Sequence, residues 1–280
     1  MKPEAPFTGI STGCFSYRME VEDTVHILPE HGVRNAELFL CTYCEYTEDF
    51  AYMLLDRATR SGLRIHAVHP MGLQFEPQLF SPHPRQKEEA LRLYEQVLRA
   101  GQILGADLYV MHGFPTIPGT GALRGLDTSA SVILELARIA ESYGITLAYE
   151  NVSWCAFSTP DFGKSLADRL GDKIHFTLDI KQCYRSGFTP EDYFSAVGPL
   201  IRNVHLCDRL PADNGGNLWV LPGKGVVPFR ELFERLKGLS YAGPLTLEVY
   251  SNAYRSYDEL FDIYRFILEL ADSVFNPSDF

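Results

Sequence analysis

The sequence is poor in long apolar runs and in basic residues. No run approaches the roughly 20 apolar residues that a membrane span needs, and the first residues, MKPEAPFTGI, lack the basic and then apolar regions of a signal peptide. We therefore expect a cytoplasmic protein without a membrane span. Only 25 Lys and Arg residues face 36 Asp and Glu residues, giving a net charge of −11. This charge repels nucleic-acid backbones, so we expect a small-molecule partner rather than a nucleic acid.

Cysteine is also scarce. The six cysteines are scattered through apolar segments, as is typical of small buried residues in a reducing compartment. Cys41 and Cys44 form a lone C-x-x-C pair, whereas a structural zinc site needs a second pair or two histidines at suitable spacing. We therefore expect no disulfides, and the pair favours a packing role over zinc binding.

Short β-branched or aromatic runs alternate with longer amphipathic stretches along the whole chain, and no Pro- or Ser-rich linker divides it. This alternation is typical of βαβ units. Eight units of about 35 residues predict an α/β fold, a (β/α)₈ TIM barrel, as a single domain over residues 1–280. The predicted strands end, in order, near Gly13, Leu40, His69, His112, Asn151, Asp179, Asp208 and Tyr250.

The positions of glycines and long loops agree with this arrangement of strands and helices. A glycine lies between a predicted helix and the next strand at four positions, where a left-handed helix end is needed: Gly32, Gly62, Gly105 and Gly144. Three loops after strand ends are longer or richer in Gly and Pro than the rest, namely 70–84, 114–125 and 209–227. The active sites of such barrels lie on that face, so we expect the functional site there.

Carboxylates and histidines stand at most of these strand ends. Such groups are costly to bury in apolar strands unless they are paired or bind a metal. Three carboxylates and one imidazole, on the fifth to eighth predicted strands, would surround one point: Glu150, Asp179, His205 and Glu248. This donor set suits one divalent metal ion, Mn²⁺, Co²⁺, Mg²⁺ or Zn²⁺. The alternative for each residue alone is a structural ion pair.

At these residues the sequence resembles the xylose isomerase-like barrel superfamily, which includes sugar isomerases and epimerases, inosose dehydratases and endonuclease IV-type AP endonucleases. The resemblance covers essentially the whole chain. It rests on five short motifs in order: Tyr149-Glu150-Asn151, Leu178-Asp179, Val204-His205-Leu206-Cys207-Asp208, Leu221-Pro222-Gly223-Lys224-Gly225 and Leu247-Glu248-Val249-Tyr250.

The resemblance implies that Glu150, Asp179, His205 and Glu248 bind the metal, with Glu150 and Glu248 also acting as acid and base. The implied activity is a metal-dependent isomerase or epimerase of a sugar or related polyhydroxy carbonyl compound, by proton transfer through a metal-stabilised enediolate. The alternative is a dehydratase of the inosose or dehydroshikimate type, which uses the same base. A barrel that binds a sugar without turnover is a third reading.

One departure concerns the nuclease branch. Gln182 occupies the position, three residues after Asp179, where the family often carries a histidine. Glutamine is a poor ligand for a second ion, so the sequence disfavours a three-metal AP endonuclease. Many barrels of this superfamily form dimers or tetramers, which leaves a homo-oligomer open.

The remaining rim residues are candidates for contact with a sugar or polyol substrate: His69, His112, Gln182, Asp208, Glu37, Trp154 and Lys224. Each has a duller alternative. His112 could be a core histidine, Glu37 could pair with a histidine, and Trp154 could simply pack in its loop. His66, expected deeper on the same face as His69, is predicted to be structural. Cations just beyond strand ends could neutralise an anionic group on the substrate or balance the acidic rim: Lys181, Arg185, Arg209 and Lys224.

Overall fold

The computed structural model describes residues 6–116, 126–213 and 215–277. Its parallel strands are β1 (Phe7–Ser11), β2 (Asn35–Leu40), β3 (Arg64–Pro70), β4 (Leu108–Met111), β5 (Thr146–Glu150), β6 (His175–Asp179), β7 (Ile201–Leu206) and β10 (Pro244–Leu247). They close into a barrel in the order β1-β10-β7-β6-β5-β4-β3-β2. The predicted (β/α)₈ barrel is confirmed. The loop after β7 contains a separate antiparallel hairpin of β8 (Asp208–Pro211) and β9 (Asn217–Val220).

Helices surround the barrel. They are α1 (Val21–Glu30), α2 (Glu48–Ser61), α3 (Glu76–Leu79), α4 (Pro84–Leu104), α5 (Leu126–Ser142), α6 (Pro160–Leu170), α7 (Ile180–Arg185), α8 (Pro190–Val197), α9 (Phe229–Gly238) and α10 (Tyr257–Phe275). The apolar stripe of α9 shows how they pack, because Phe229, Leu232, Phe233 and Leu236 recur at helical spacing and are all buried. The described helices include none whose length and apolar character would let it span a bilayer.

The predicted glycine positions are confirmed. Gly62 and Gly105 end α2 and α4 in the left-handed conformation, with φ of 69° and 72°. Gly32 and Gly144 also have positive φ. The cysteines are all free, as predicted, but they are not all buried. Cys41 is half-buried and Cys44 is exposed.

The β3 strand contains an irregularity that places two histidines inside the barrel. Ala36 pairs with Ile65 and Glu37 pairs with Ala67, so β3 has one extra residue, His66, at this point. His66 and His69 are three residues apart, and strict alternation would put them on opposite faces. Both are nonetheless buried. His66 Nε2 lies 3.1 Å from the Thr246 hydroxyl of β10, which is across the barrel.

Candidate metal centre

The four predicted ligands meet at the carboxyl-terminal mouth of the barrel. Glu150 and Asp179 are the last residues of β5 and β6, His205 is the penultimate residue of β7, and Glu248 follows β10 directly. Asp179 pairs with His205 in the sheet register, which puts neighbouring strands at the same height. One ligand atom from each of the four side chains lies within 4.8 Å of the others. Glu150, Asp179 and His205 are buried, and the Glu248 side chain is 12% exposed.

Backbone hydrogen bonds fix Asp179 in place. The Asn151 side chain accepts a bond from the Asp179 N–H at 2.7 Å and donates to the Asp179 carbonyl at 3.1 Å. Asp179 Oδ1 accepts a bond from the Gln182 N–H at 2.9 Å, which caps α7. Asn151 follows Glu150, so one motif supplies a candidate ligand and holds the next strand end.

Glu37 sets the orientation of His205 from behind. Glu37 Oε2 lies 3.0 Å from His205 Nε2 and accepts a hydrogen bond from Asn203 Nδ2 at 2.9 Å. Burial opposes the charge on Glu37, but His205 and His69 outweigh it and hold the pKa of Glu37 well below its usual range. The ionised carboxylate therefore accepts a hydrogen bond from His205 Nε2–H, which leaves Nδ1 facing the mouth.

The surroundings of His205 Nδ1 favour a cation at the barrel mouth. This nitrogen is buried and makes no hydrogen bond, although it lies 2.9 Å from Glu248 Oε2 and 3.4 Å from Glu150 Oε1. A ring lone pair so close to two carboxylates is repelled unless it carries a proton or faces a metal ion. Burial opposes protonation, but Glu248 and Glu37 raise the pKa of His205 well above its usual value. A divalent ion would take the place of that proton.

The three carboxylates of the site also favour a nearby positive charge. Burial, with the charges of Glu150 and Glu248, raises the pKa of Asp179 to about 6 against the opposing effect of Lys181. Lys181 Nζ lies 3.3 Å from Asp179 Oδ2 and 4.0 Å from Glu248 Oε2. Lys181 contacts only two of the three carboxylates, and Glu150 lies against His112 and His205 instead. The donor set, the spacing and the orphaned imidazole nitrogen therefore fit one divalent ion.

Two histidines adjoin this centre on the side of Glu150. His112 Nε2 lies 2.8 Å from Glu150 Oε2 and 2.8 Å from His69 Nε2, while His69 Nδ1 lies 3.1 Å from Glu37 Oε1. Burial disfavours a charged His112, but Glu150 outweighs burial and raises the pKa of His112 to about 9. Glu150 thus has a partner that can hold or return a proton.

A cavity of about 720 Å³ opens beside these groups. Of the predicted substrate contacts, His69, His112, Gln182 and Trp154 line it. Trp154 packs edge-on against His112, with ring centroids 6.0 Å apart. Gln182 reaches the cavity while its side-chain oxygen accepts a bond from the Ser153 N–H.

The other predicted substrate contacts do not line this cavity. Glu37 lies behind the ligands. Lys224 is exposed on the loop after β9.

Asp208, predicted to contact substrate, lies outside this cavity and binds backbone N–H groups. Its carboxylate accepts backbone N–H bonds from Arg209, Gly223, Gly225 and Val227 at 2.7 to 2.9 Å. These bonds satisfy both oxygens and fold the Leu221–Gly225 loop around the side chain. The aspartate of this sequence motif therefore binds the backbone of the loop that follows β9.

Sequence reasoning missed Glu76. This fully buried carboxylate lies on α3 and accepts bonds from the Tyr109 hydroxyl and from the N–H groups of His112 and Gly113, at 2.8 to 2.9 Å. Gly113 needs its positive φ of 79°, and a Cβ there would approach the Tyr149 hydroxyl to 2.6 Å. Glu76 therefore fixes the end of β4 and hence His112. The only signal was one acidic residue inside an otherwise uncharged loop segment, GLQFEPQLF.

Two relatives share part of the sequence. A segment of 91 residues is 34% identical to an uncharacterized protein of Mycobacterium tuberculosis and covers 32% of this chain and 31% of that one. A segment of 135 residues is 27% identical to the fructoselysine 3-epimerase of Escherichia coli, covering 46% and 48% respectively. The chain thus spans a third to a half of the length of these relatives.

Solved structures share the whole fold. The IolI protein with a bound zinc atom superposes with a TM-score of 0.80 at 17% identity, over 96% of this chain and 99% of that one. The D-psicose 3-epimerase of Clostridium cellulolyticum, solved with D-tagatose, superposes with a TM-score of 0.75 at 17% identity, over the same shares. The sequence model of the family described as xylose isomerase-like TIM barrel matches residues 28–265 of this chain. The chain therefore belongs to the xylose isomerase-like TIM barrel family.

Proposed function

We propose that this protein is a divalent-metal-dependent isomerase or epimerase of a sugar or related polyhydroxy carbonyl compound. The observation that carries the proposal is the convergence of Glu150, Asp179, His205 and Glu248 on one point, with His205 Nδ1 buried and unpartnered beside two carboxylates. When bound, a divalent ion would polarise the substrate carbonyl and stabilise the enediolate formed by loss of the neighbouring proton.

The two glutamates are suited to proton transfer in different ways. The Glu248 side chain is 12% exposed, against 2% for Glu150, so it has more access to the cavity. Ser11 donates a hydrogen bond to its Oε1 at 3.4 Å. Glu150 instead contacts His112 through Oε2. Glu248 can exchange a proton with substrate directly, while a proton taken by Glu150 can be shared with His112.

The relatives support this class of reaction. One is named a fructoselysine 3-epimerase, a neighbouring structure is a D-psicose 3-epimerase, and a zinc atom is bound in another. Asp179 has only the role of a ligand in this proposal, because Gln182 N–H and Lys181 hold its two oxygens in place. Each oxygen keeps a second lone pair for the ion. Gln182, His69 and Trp154 would contact the substrate from the cavity wall.

The test is solvent exchange. The protein, loaded in turn with Mn²⁺, Co²⁺, Mg²⁺ and Zn²⁺, is incubated in deuterated water with a panel of ketoses, and deuterium at the carbon beside the carbonyl is measured. We expect exchange with at least one metal and one ketose, and its loss in the Glu248→Gln variant. A new ultraviolet-absorbing enone would assign a dehydratase instead. Tight ketose binding with no exchange under any metal would contradict catalysis.

A further inference from the structure

One wall of the cavity carries a cation that the metal centre does not need. Arg185, the last residue of α7, lines the cavity together with Lys181, Gln182 and Tyr250. Its Nη1 donates a hydrogen bond to the Tyr250 hydroxyl at 2.7 Å. Within 6–116, 126–213 and 215–277, no carboxylate forms an ion pair with it. The guanidinium is therefore held in place by a neutral partner, with donors to spare.

Lys181 does not offer the same opportunity. Its ammonium group is buried between Asp179 and Glu248 and lies 4.6 Å from the centre of the Tyr250 ring. The cavity walls carry three carboxylates, on Glu150, Asp179 and Glu248. Lys181 contacts two of them and His112 Nε2 lies 2.8 Å from Glu150 Oε2, so each carboxylate has a partner other than Arg185. Arg185 remains as a surplus positive charge at the cavity wall.

We infer that the substrate carries a carboxylate, which Arg185 binds while the polyhydroxy carbonyl end of the molecule faces the metal centre. The inference rests on the proposed function, because the carbonyl end is assigned by the metal site. A guanidinium presents paired N–H donors that match the two oxygens of a carboxylate. The substrate class is thus a keto sugar acid rather than a neutral ketose.

The surroundings favour a carboxylate over a phosphate group. A phosphate carries nearly two charges at neutral pH and usually meets several cations or a set of backbone N–H groups. Among the described lining residues, Arg185 is the only arginine or lysine without a carboxylate partner. One surplus charge matches one carboxylate.

The experiment measures binding rather than turnover, so it stays informative if the proposed reaction is wrong. Protein loaded with Mn²⁺ is titrated calorimetrically with D-sorbitol, D-gluconate and D-sorbitol 1-phosphate, three six-carbon chains that differ only at C1. We expect gluconate to bind on the order of ten- to a hundredfold more tightly than sorbitol. Arg185→Gln should remove this preference and leave sorbitol binding unchanged, whereas Arg185→Lys should keep part of it.

The matched control is Arg255→Gln, which removes the same charge from an exposed position after β10, outside this cavity. It should retain the preference for gluconate. The inference is overturned if wild-type protein binds gluconate no more tightly than sorbitol, or does not bind it measurably. It is also overturned if the preference survives Arg185→Gln, since the carboxylate would then bind the metal. A stronger Arg185-dependent preference for sorbitol 1-phosphate would overturn it by assigning a phosphate group. Failure of ketose exchange with an intact gluconate preference would contradict the proposed function alone.

Discussion

Replacing Glu37 by glutamine should weaken metal binding although Glu37 is not one of the four proposed ligands. Its carboxylate receives three contacts, from His69 Nδ1 at 3.1 Å, His205 Nε2 at 3.0 Å and Asn203 Nδ2 at 2.9 Å. Glutamine keeps one oxygen and replaces the other by an amino group. In either orientation that amino group faces at least one of these nitrogens, and it cannot accept their protons.

The expected magnitude follows from the tautomer of His205. Without an anionic acceptor at Nε2, the Nε2-protonated form loses its stabilisation, and Nδ1 is less often free to bind the ion. Loss of such a supporting partner lowers metal affinity by about 10- to 100-fold, or about 1.4 to 2.7 kcal/mol. Glu37→Gln should therefore raise the dissociation constant for Mn²⁺ or Co²⁺ by that factor.

Calorimetric titration of metal-free protein with each ion measures the effect. Glu45→Gln is the control. Glu45 lies just after β2, and its carboxylate accepts hydrogen bonds from the backbone N–H groups of Cys41 and Thr42, away from the ligands. It should leave metal affinity unchanged. Urea unfolding of the metal-free variants separates loss of fold from loss of binding. Unchanged metal affinity in a folded Glu37→Gln protein would refute the reasoning.

The remaining predictions concern the ligands and two buried groups. Glu150→Gln and Glu248→Gln should each retain part of the metal and lose about 10²- to 10⁴-fold in exchange rate. Asp179→Asn should instead lose exchange activity together with the metal and recover it with excess ion. Full activity of Glu248→Gln at saturating metal would contradict these roles. Elemental analysis should find one ion per chain, with affinity falling as the pH drops through about 6, the pKa to which burial raises Asp179; three ions would contradict the site. Burial lowers the pKa of His66 to about 4, so the contribution of His66 to the unfolding free energy should be full above pH 6.5 and fall by about 1.4 kcal/mol per pH unit towards pH 4. In urea titrations of metal-free protein, the difference between wild type and His66→Gln should change with pH by that slope. Glu76→Gln should cost about 1 to 3 kcal/mol in the same assay, because its three partners are all donors; an unchanged midpoint would contradict that.

The barrel and its four candidate ligands follow from a local pattern. Parallel strands covered on both faces are nearly continuous apolar runs, so a carboxylate or histidine at the end of such a run stands out. Glu150 and Asp179 end their strands in the structure as the pattern predicted. Because the strands are parallel, their ends meet on one rim without any knowledge of long-range contacts.

What the sequence could not supply depends on irregular backbone and on distant partners. The extra residue at His66 breaks the two-residue alternation of β3 and has no turn residue to mark it. Asp208 looked like a rim residue from its motif, but three of its four backbone donors come from a loop that returns to it only in the folded chain. Glu76 reaches β4 through a short helix in a long loop, where pattern gives little guidance.

A connected column of polar side chains runs through the barrel below the mouth. His66 contacts the Thr246 hydroxyl at 3.1 Å, that hydroxyl donates to Asn203 Oδ1 at 3.2 Å, and Asn203 Nδ2 donates to Glu37. Barrel interiors are usually filled by branched apolar residues, and buried polar groups stabilise a fold only when they are satisfied. Here each link orients the next, and the column ends on His205. The column fixes which nitrogen of His205 faces the carboxylates at the mouth. Substitutions along the column should therefore alter metal affinity even where the barrel stays folded.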